Sequence, residues 1–282
     1  MKYENRLVAF IDILGFKELL NDTVSKDGED DEKRIDSLIE AYSSIRDIWD
    51  LDKNLAEFTP SRENSKKVSI FSDCLVVSVL IEQESEVFYT LLEIKWLIMR
   101  LINLDILCRG AVSLGKFIHT DEYLFGPALV EAYTLESKAA IYPRVILDNT
   151  VIEAAGQHRN PDHSLKTEKN YVRALLGQDS DGMYYIDYFY KALQEFDEPQ
   201  YDFPQYIHNI AEIIRKGLMG STHPSKADVK VKYSWMRERY NSMVDRVAKS
   251  VDVEALLQAG ENELADFYND LHKISPNKYR RK

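Results

Sequence analysis

The chain has 282 residues, of which 45% are hydrophobic and 29% charged, a composition typical of a globular protein with a full core. Its formal net charge of −11 disfavours a nucleic-acid-binding surface, because such surfaces neutralise phosphates with lysine and arginine. Two cysteines, Cys74 and Cys108, argue against a disulfide framework or a structural zinc site, and without a long apolar run or an apolar leader we expect a cytoplasmic protein that spans no membrane.

A buried strand is predicted at the start of the chain. Residues 7–16 form a nearly continuous apolar run that carries a charge at Asp12, and Gly15 predicts a tight turn into a helix. The acidic stretch 27–32 predicts a solvated loop or a helix start. Residues 51–67 are polar and aperiodic, which predicts an exposed loop. The helix between these segments is predicted from apolar residues at helical spacing: Ile35, Leu38, Ile39, Tyr42, Ile45, Ile48 and Trp49.

Strands and helices alternate in the middle of the chain. Residues 68–80 predict two strands, with Ser72 and Asp73 at a hairpin turn between them. A long helix is predicted from the apolar stripe Val87, Leu91, Ile94, Ile98 and Leu101. Further strands are predicted at 106–118 and 144–148, and a strand end that enters a helix at 123–140. This alternation predicts an α+β sandwich with a mostly antiparallel sheet and flanking helices.

The sequence changes character beyond about Pro199. A polar loop at 157–169 and a strand at 182–187 are predicted before this point. Helices are predicted after it, over 206–218 and 231–247, with a break at 220–224. We therefore predict one domain over residues 1–195 and a helical C-terminal appendage over residues 196–282.

Two aspartates stand inside apolar, strand-like sequence. Asp12 lies in Phe-Ile-Asp-Ile-Leu-Gly-Phe and Asp73 in Ile-Phe-Ser-Asp-Cys-Leu-Val. Because a carboxylate is rarely buried without a partner, we expect a cation to lie between Asp12 and Asp73. Carboxylate oxygens suit magnesium and manganese, which commonly share their coordination sphere with substrate phosphates. The pair therefore predicts phosphoryl chemistry.

Four segments in this order resemble the class III nucleotidyl cyclase catalytic domain: Phe10 to Phe16, Ser72-Asp73, Arg109 to Gly115 and Tyr123 to Gly126. The resemblance covers about residues 5 to 150. It implies a ferredoxin-like sandwich and a head-to-tail homodimer that shares two active sites. It also implies a reaction that releases a cyclic nucleotide and pyrophosphate.

The resemblance also implies roles for individual residues. Two Mn²⁺ or Mg²⁺ ions would be bound by Asp12, Asp73 and the backbone carbonyl of Ile13, and the amides of Gly15 and Phe16 would hold the β- and γ-phosphates. A glycine at a strand-to-helix turn fits this independently, because it lets the backbone approach phosphate closely. Arg109 matches an arginine that contacts the triphosphate; a structural ion pair is its alternative. Lys138 and Arg144 are weaker phosphate candidates, with the solvated surface as the alternative.

The chain departs from purine cyclases at the positions that read the base. Ser69 stands where those enzymes carry a lysine or glutamate, and Tyr123 replaces a second residue, commonly aspartate. Val130 and Thr134 occupy the places of an asparagine and of the arginine that stabilises the transition state. Recognition of adenine or guanine in the usual way is therefore not expected.

The phrases Phe-Ile-Asp-Ile-Leu-Gly-Phe, Phe-Ser-Asp and Arg-Gly-Ala-Val-Ser-Leu-Gly-Lys are similar to those of the bacterial pyrimidine cyclases of Pycsar antiphage defence. That resemblance implies a soluble enzyme that makes cyclic UMP or cyclic CMP, which activates a separate effector protein. Tyr123 and Leu129 are candidates for narrowing the base pocket, and Tyr123 is equally well explained as an ordinary sheet residue. We expect UTP ahead of CTP as the substrate.

Other functions remain open from sequence. A diguanylate cyclase or a polymerase-like palm domain would use similar two-metal chemistry. The Gly-Gly-Asp-Glu-Phe signature of the former is absent, and the acidic charge disfavours the latter. A catalytically silent nucleotide sensor that holds its ligand at Asp12 and Asp73 is a further alternative. The six histidines show no metal-site spacing and are taken as incidental: His119, His158, His163, His208, His223 and His272.

Overall fold

The computed structural model describes residues 2–58 and 65–276, and the chain divides into two compact units, Met1–Ile186 and Asp187–Lys282. The elements of the first unit are, in chain order, β1 (Glu4–Leu14), α1 (Phe16–Asn21), α2 (Glu32–Phe58), β2 (Lys67–Phe71), β3 (Cys74–Leu80), α3 (Glu86–Asn103), β4 (Leu107–His119), β5 (Leu124–Phe125), α4 (Pro127–Lys138), β6 (Val145–Leu147), α5 (Asn149–Gln157), α6 (Leu165–Leu175), β7 (Leu176–Gln178) and β8 (Tyr184–Ile186).

The strands of the described residues form one mixed sheet in the order β2-β3-β1-β4-β6-β8-β7, with β5 paired to β4. Its pairs are antiparallel apart from β4 and β6, which run parallel. β1 therefore lies between β3 and β4. This central place explains its nearly continuous apolar sequence, because a strand covered on both faces buries every side chain.

Helix α4 covers one face of the sheet. Ala128 and Ala132 of α4 belong to a buried cluster with Val8 and Phe10 of β1 and Phe117 of β4. Small side chains four residues apart let the helix approach the strands closely.

Gly126 precedes α4 with a φ of 156°. A Cβ at this position would lie 2.5 Å from the Lys116 carbonyl oxygen and 2.7 Å from Phe117 Cα. The position therefore has no room for a side chain, and glycine lets the N-terminus of α4 lie against β4.

The second unit is helical. Its helices are α7 (Pro199–Gly220), α8 (Ala227–Ser250), α9 (Val253–Gln258) and α10 (Asn262–Asn269), and short 3-10 turns precede α7 and α8. Within this unit α7 packs against α8. The Tyr206 hydroxyl donates to the Tyr188 carbonyl at 2.8 Å, and Asn241 accepts from the Ile274 amide at 2.8 Å. The predicted roles of residues 1–195 as a catalytic domain and of 196–282 as an appendage stay predictions.

The expected mixed α/β fold with a multistranded sheet and helices is confirmed, and several predicted bounds are corrected. The first strand begins at Glu4 and ends at Leu14. The loop expected at 51–67 is wrong for the residues up to Phe58, which belong to α2. This stretch includes no glycine or proline that would end the helix. Residues 59–64 of that loop lie outside the described residues.

The expected loop at 157–169 is also too long. Ser164 accepts a hydrogen bond from the Thr167 amide and so caps α6, which begins at Leu165. The sequence therefore held a cap signal in this polar stretch. In the part of the chain that the structure describes, no helix combines the length and the apolar character needed to cross a membrane.

Candidate functional site

Asp12 lies near the C-terminal end of β1, between two residues of neighbouring strands. It is directly opposite Cys74 of β3 on one side and Arg109 of β4 on the other. Residues directly opposite each other in antiparallel strands point to the same face of the sheet. The three side chains therefore form a row across three strands, and the Asp12 side chain keeps 19% of its surface exposed.

The hairpin between β2 and β3 brings Asp73 to this row. Ser72 has a left-handed φ of 53°, which turns the chain tightly at this point. The Ile13 amide donates to the Asp73 carbonyl at 2.8 Å and so ties the hairpin to β1. A second tie comes from α2, where the Tyr42 hydroxyl donates to the Ser72 carbonyl at 2.5 Å. The predicted convergence of the two aspartates is therefore built by strand register and hairpin closure.

Ligand atoms of Asp12, Asp73 and Cys74 all lie within 4.8 Å of one another, and the three residues are half-buried. The Cys74 thiol lies 3.6 Å from Asp73 Oδ1. Burial, together with the carboxylates of Asp73 and Asp12, raises the pKa of Cys74 to about 12. Burial and the Asp12 charge likewise raise the pKa of the fully enclosed Cys108 to about 12. Cys74 packs against the core cluster, and its register with Asp12 also places it at the carboxylate cluster.

Arg109 is held between two carboxylates. Its Nε lies 2.5 Å from Glu136 Oε1 and 3.3 Å from Asp12 Oδ2. Glu136 is 2% exposed and also accepts from the Ser137 hydroxyl at 2.9 Å. The ion-pair alternative for Arg109 is thus present in this structure, and its contact with a triphosphate stays a prediction.

Glu136 is a residue that the sequence reasoning missed. It follows Ala128 and Ala132 at four-residue spacing, on the buried face of α4. A glutamate that continues a stripe of small buried residues is the signal that could have identified it, because a buried carboxylate requires a cationic partner.

The turn after β1 has the geometry that its sequence predicted. Gly15 adopts φ 76° and ψ 14° and directly precedes α1, whose first residue is Phe16. Phe16 is buried, and its ring meets the Tyr42 ring edge to face at 6.4 Å between centroids. The binding of phosphate by the amides of these two residues stays a prediction, as does the ligation of metal by the Ile13 carbonyl.

Ser69 contacts His119 at the other end of the same sheet face. Ser69 Oγ lies 2.9 Å from His119 Nε2. His119 ends β4, and the turn that follows is closed by hydrogen bonds between Thr120 and Tyr123. Tyr123 keeps 48% of its surface exposed. Ser69 is therefore hydrogen-bonded to a histidine expected to be incidental, and Tyr123 follows that histidine by four residues.

His119 is buried and hydrogen-bonded on both ring nitrogens. Its Nδ1 lies 2.8 Å from Ser78 Oγ, and Ser78 Oγ accepts from Arg6 Nε at 2.9 Å. Burial, together with the charges of Arg6 and Lys67, lowers the pKa of His119 to about 4. The ring is therefore neutral at physiological pH.

A cavity of about 630 Å³ adjoins this end of the sheet. It is lined by Glu4, Arg6, Ser65, Lys67, Leu80, Glu82, Gln83, His119 and Thr120. Two cations, Arg6 and Lys67, and two carboxylates, Glu4 and Glu82, are among these residues, so their formal charges cancel.

The remaining phosphate candidates differ in their surroundings. Arg144 has a fully buried side chain that pairs with Asp179 at 2.7 Å and with Asp181 at 2.5 Å. These two partners give it a structural role within the sheet. Lys138 is exposed in the last turn of α4, and its phosphate contact stays a prediction. Val130, in the place of the family's asparagine, is 65% exposed.

The donor set of Asp12, Asp73 and Cys74 fits divalent cations. Two carboxylates that converge at a strand end, half-buried and open to solvent, provide the oxygen ligands that Mg²⁺ and Mn²⁺ prefer. Arg109 pairs with Asp12 and so neutralises part of the negative charge. Asp73 lies on the opposite side of the row from Arg109.

Comparison with solved structures finds bacterial light-regulated adenylyl cyclases among the similar chains. One is 15% identical with a TM-score of 0.36, and the match covers 56% of this chain and 82% of that one. A second is 12% identical with a TM-score of 0.35, covering 61% of this chain and 57% of that one, so the match spans little more than half of that protein. Models of known protein families give no match, and neither do the curated proteins.

Proposed function

We propose that this chain is a nucleotidyl cyclase that converts UTP into 3′,5′-cyclic UMP and pyrophosphate, as a messenger in antiphage defence. The observation that carries the proposal is the convergence of Asp12 and Asp73 within 4.8 Å, beside the left-handed glycine turn at Gly15. Carboxylates paired next to a strand-to-helix turn are an arrangement suited to a metal-bound triphosphate.

Asp12 and Asp73, with the Ile13 carbonyl, would hold two divalent cations. When bound, these ions would supply activation of the ribose 3′-hydroxyl and neutralisation of charge on the phosphates. The hydrogen bond from Ile13 to the Asp73 carbonyl supports this role, since it fixes the hairpin relative to the strand that carries Asp12. Carboxylates held by backbone register lose little freedom when they bind a cation.

Arg109 would orient the triphosphate with its guanidinium. In the present structure, Glu136 and Asp12 hold this group beside the aspartates. An arginine fork matches phosphate oxygens well, and the ion pair keeps it positioned for them. The amides of Gly15 and Phe16, with Lys138, would contribute further phosphate contacts.

The pyrimidine preference is supported by the residues at the base-reading positions. Ser69 is short and bound to a neutral histidine, and Tyr123 offers a ring and a hydroxyl on an exposed turn. Neither reproduces the charged side chains with which purine cyclases read their bases. UTP is proposed ahead of CTP.

The wider context of the enzyme follows from its resemblance to Pycsar cyclases. Two copies of the chain would associate head to tail, so that both contribute to each site and one of them supplies its metal residues. The cyclic nucleotide would then bind a separate effector protein. A strictly monomeric preparation with full specific activity would contradict the shared site.

The test is incubation of the protein with manganese and equal concentrations of ATP, GTP, CTP and UTP, followed by mass identification of the products. Cyclic UMP as the main product is expected. Predominant cyclic AMP or cyclic GMP would overturn the pyrimidine assignment, and predominant cyclic CMP would reverse the order of the two pyrimidines. Nucleotide binding without any cyclic product would identify a silent sensor.

A further inference from the structure

We propose that a relay of hydrogen bonds through Arg6, Ser78, His119 and Ser69 sets the choice of base, by presenting the Ser69 hydroxyl as a donor to a carbonyl oxygen of the substrate. This inference rests on the proposed function, since it takes Ser69 as a residue that contacts the base. It adds His119 as a positioning residue and names the chemical feature that the site selects.

The relay crosses the four strands at one edge of the sheet. Arg6 comes from β1, Ser78 from β3, His119 from β4 and Ser69 from β2, and the successive donor–acceptor distances are 2.9, 2.8 and 2.9 Å. Arg6, Ser78 and His119 are at most 5% exposed, while Ser69 is half-buried. Ser69 is therefore the most exposed member of the relay.

The direction of the hydrogen bonds follows from the chemistry of the groups. Arginine only donates, so Ser78 Oγ accepts from Arg6 Nε. The hydrogen of the buried Ser78 hydroxyl then needs an acceptor, and His119 Nδ1 is the one at hydrogen-bond distance within the described residues. A neutral imidazole that accepts at Nδ1 carries its hydrogen on Nε2, which therefore donates to Ser69 Oγ.

This order leaves the Ser69 hydrogen available to donate. Each hydroxyl and ring along the relay is polarised in the same direction by the Arg6 guanidinium, which strengthens Ser69 as a donor. Uracil presents a carbonyl oxygen at position 4, where cytosine presents an amino group that itself donates. A polarised donor therefore favours uracil over cytosine.

A cavity adjoins the buried part of the relay. Arg6 and His119 line the cavity of about 630 Å³, and the turn that carries Tyr123 begins directly after His119. The buried part of the relay therefore borders open space, and Tyr123 follows His119 by four residues in the sequence.

The experiment compares three variants of the full-length protein with wild type. Ser69→Ala removes the final donor, His119→Leu breaks the relay, and His119→Gln keeps one acceptor and one donor at the same place. Ser37→Ala and His208→Gln, both at exposed positions, are the matched controls. The readouts are kcat and KM for UTP and CTP with manganese, and equilibrium binding of both nucleotides.

We expect the preference for UTP over CTP to fall about tenfold in Ser69→Ala and His119→Leu, as loss of one hydrogen bond to the base predicts. The loss should appear in KM rather than in kcat. His119→Gln should keep the preference, which a merely structural role of the histidine would not require.

An unchanged preference in Ser69→Ala, or equal wild-type binding of UTP and CTP, would overturn the relay inference whether or not cyclic product forms. A wild-type protein that prefers UTP in binding, loses that preference in Ser69→Ala and makes no cyclic product would overturn the cyclase proposal alone. Absence of binding to either nucleotide would overturn both.

Discussion

The two ends of one sheet face differ in their electrostatics, although the same strands build both. At one end, Asp12 and Asp73 converge with an excess of negative charge that Arg109 only partly offsets. At the other, Arg6 and His119 form a closed network in which the ring is neutral and both its nitrogens are bonded. The proposed function assigns a cation to the acidic end, whereas the ring at the histidine end is neutral and is held by hydrogen bonds alone.

The largest effect is expected from removing an aspartate at the acidic end. Asp12→Ala or Asp73→Ala should lower cyclic-nucleotide production at least about a hundredfold, because each removes a metal ligand and the charge stabilisation that it supports. Asp162→Ala, which changes an exposed loop aspartate, is the control. Circular dichroism and thermal unfolding should show that the fold of each variant is intact, since loss of a carboxylate here relieves repulsion. Wild-type turnover in either aspartate variant would contradict the assignment of Asp12 and Asp73 as metal ligands.

Arg109→Ala should destabilise the protein by about 3 kcal/mol, because it leaves the buried Glu136 carboxylate without its cation. Urea denaturation measures the change. The double variant Arg109→Ala with Glu136→Gln should recover most of the loss, since the neutral amide costs less to bury. If the double variant were no more stable than Arg109→Ala alone, the ion pair would not be the source of the effect.

The free energy of unfolding should depend on pH because of His119 at the histidine end. The folded-state pKa of His119 is lowered to about 4, so the unfolded state binds more protons between that value and the ordinary pKa near 6.5. Stability contributed by the neutral ring is therefore present above about pH 6.5 and is lost as the pH falls toward 4, by up to about 3 kcal/mol. His119→Gln should flatten this part of the profile of unfolding free energy against pH. An identical slope in wild type and variant would show that other groups cause it.

Manganese should stabilise the acidic end by a smaller amount. At ten times its dissociation constant, an ion that binds only the folded state adds about 1.4 kcal/mol, seen as a rise in the midpoint of thermal unfolding. The rise should disappear in Asp73→Ala and persist in His119→Gln. Equal shifts in both variants would place the binding elsewhere on the acidic surface.

The acidic end was largely predictable from sequence, and the histidine end was not. Asp12, Asp73 and Gly15 stand in local patterns, a charge within an apolar run and a glycine at its end, that predict strand, hairpin and turn. His119 has no such local signal. It meets Ser69 and Ser78 only because four strands pair in a particular register, which one sequence does not specify.

Helix lengths show a related limit. The sequence predicted an end for α2 before Leu51 from loss of apolar periodicity, yet the helix runs to Phe58. Polar residues with good helix propensity continue a helix without any buried stripe. Arg109 meets Asp12 through the register of β1 and β4, and its second partner Glu136 lies on a helix. One sequence specifies neither the register nor the placement of the helix on the sheet.

The lack of room for a side chain at Gly126 limits which substitutions this part of the protein accepts during evolution. A side chain there would push α4 away from β4, and α4 carries Glu136 and so positions Arg109. Tyr123, three residues earlier, points from an exposed turn and meets no such restriction. We therefore expect lineages with this arrangement to change the turn freely while retaining the glycine. Under the proposed function, the accepted base could then change over evolutionary time while the residues assigned to the phosphates stay the same.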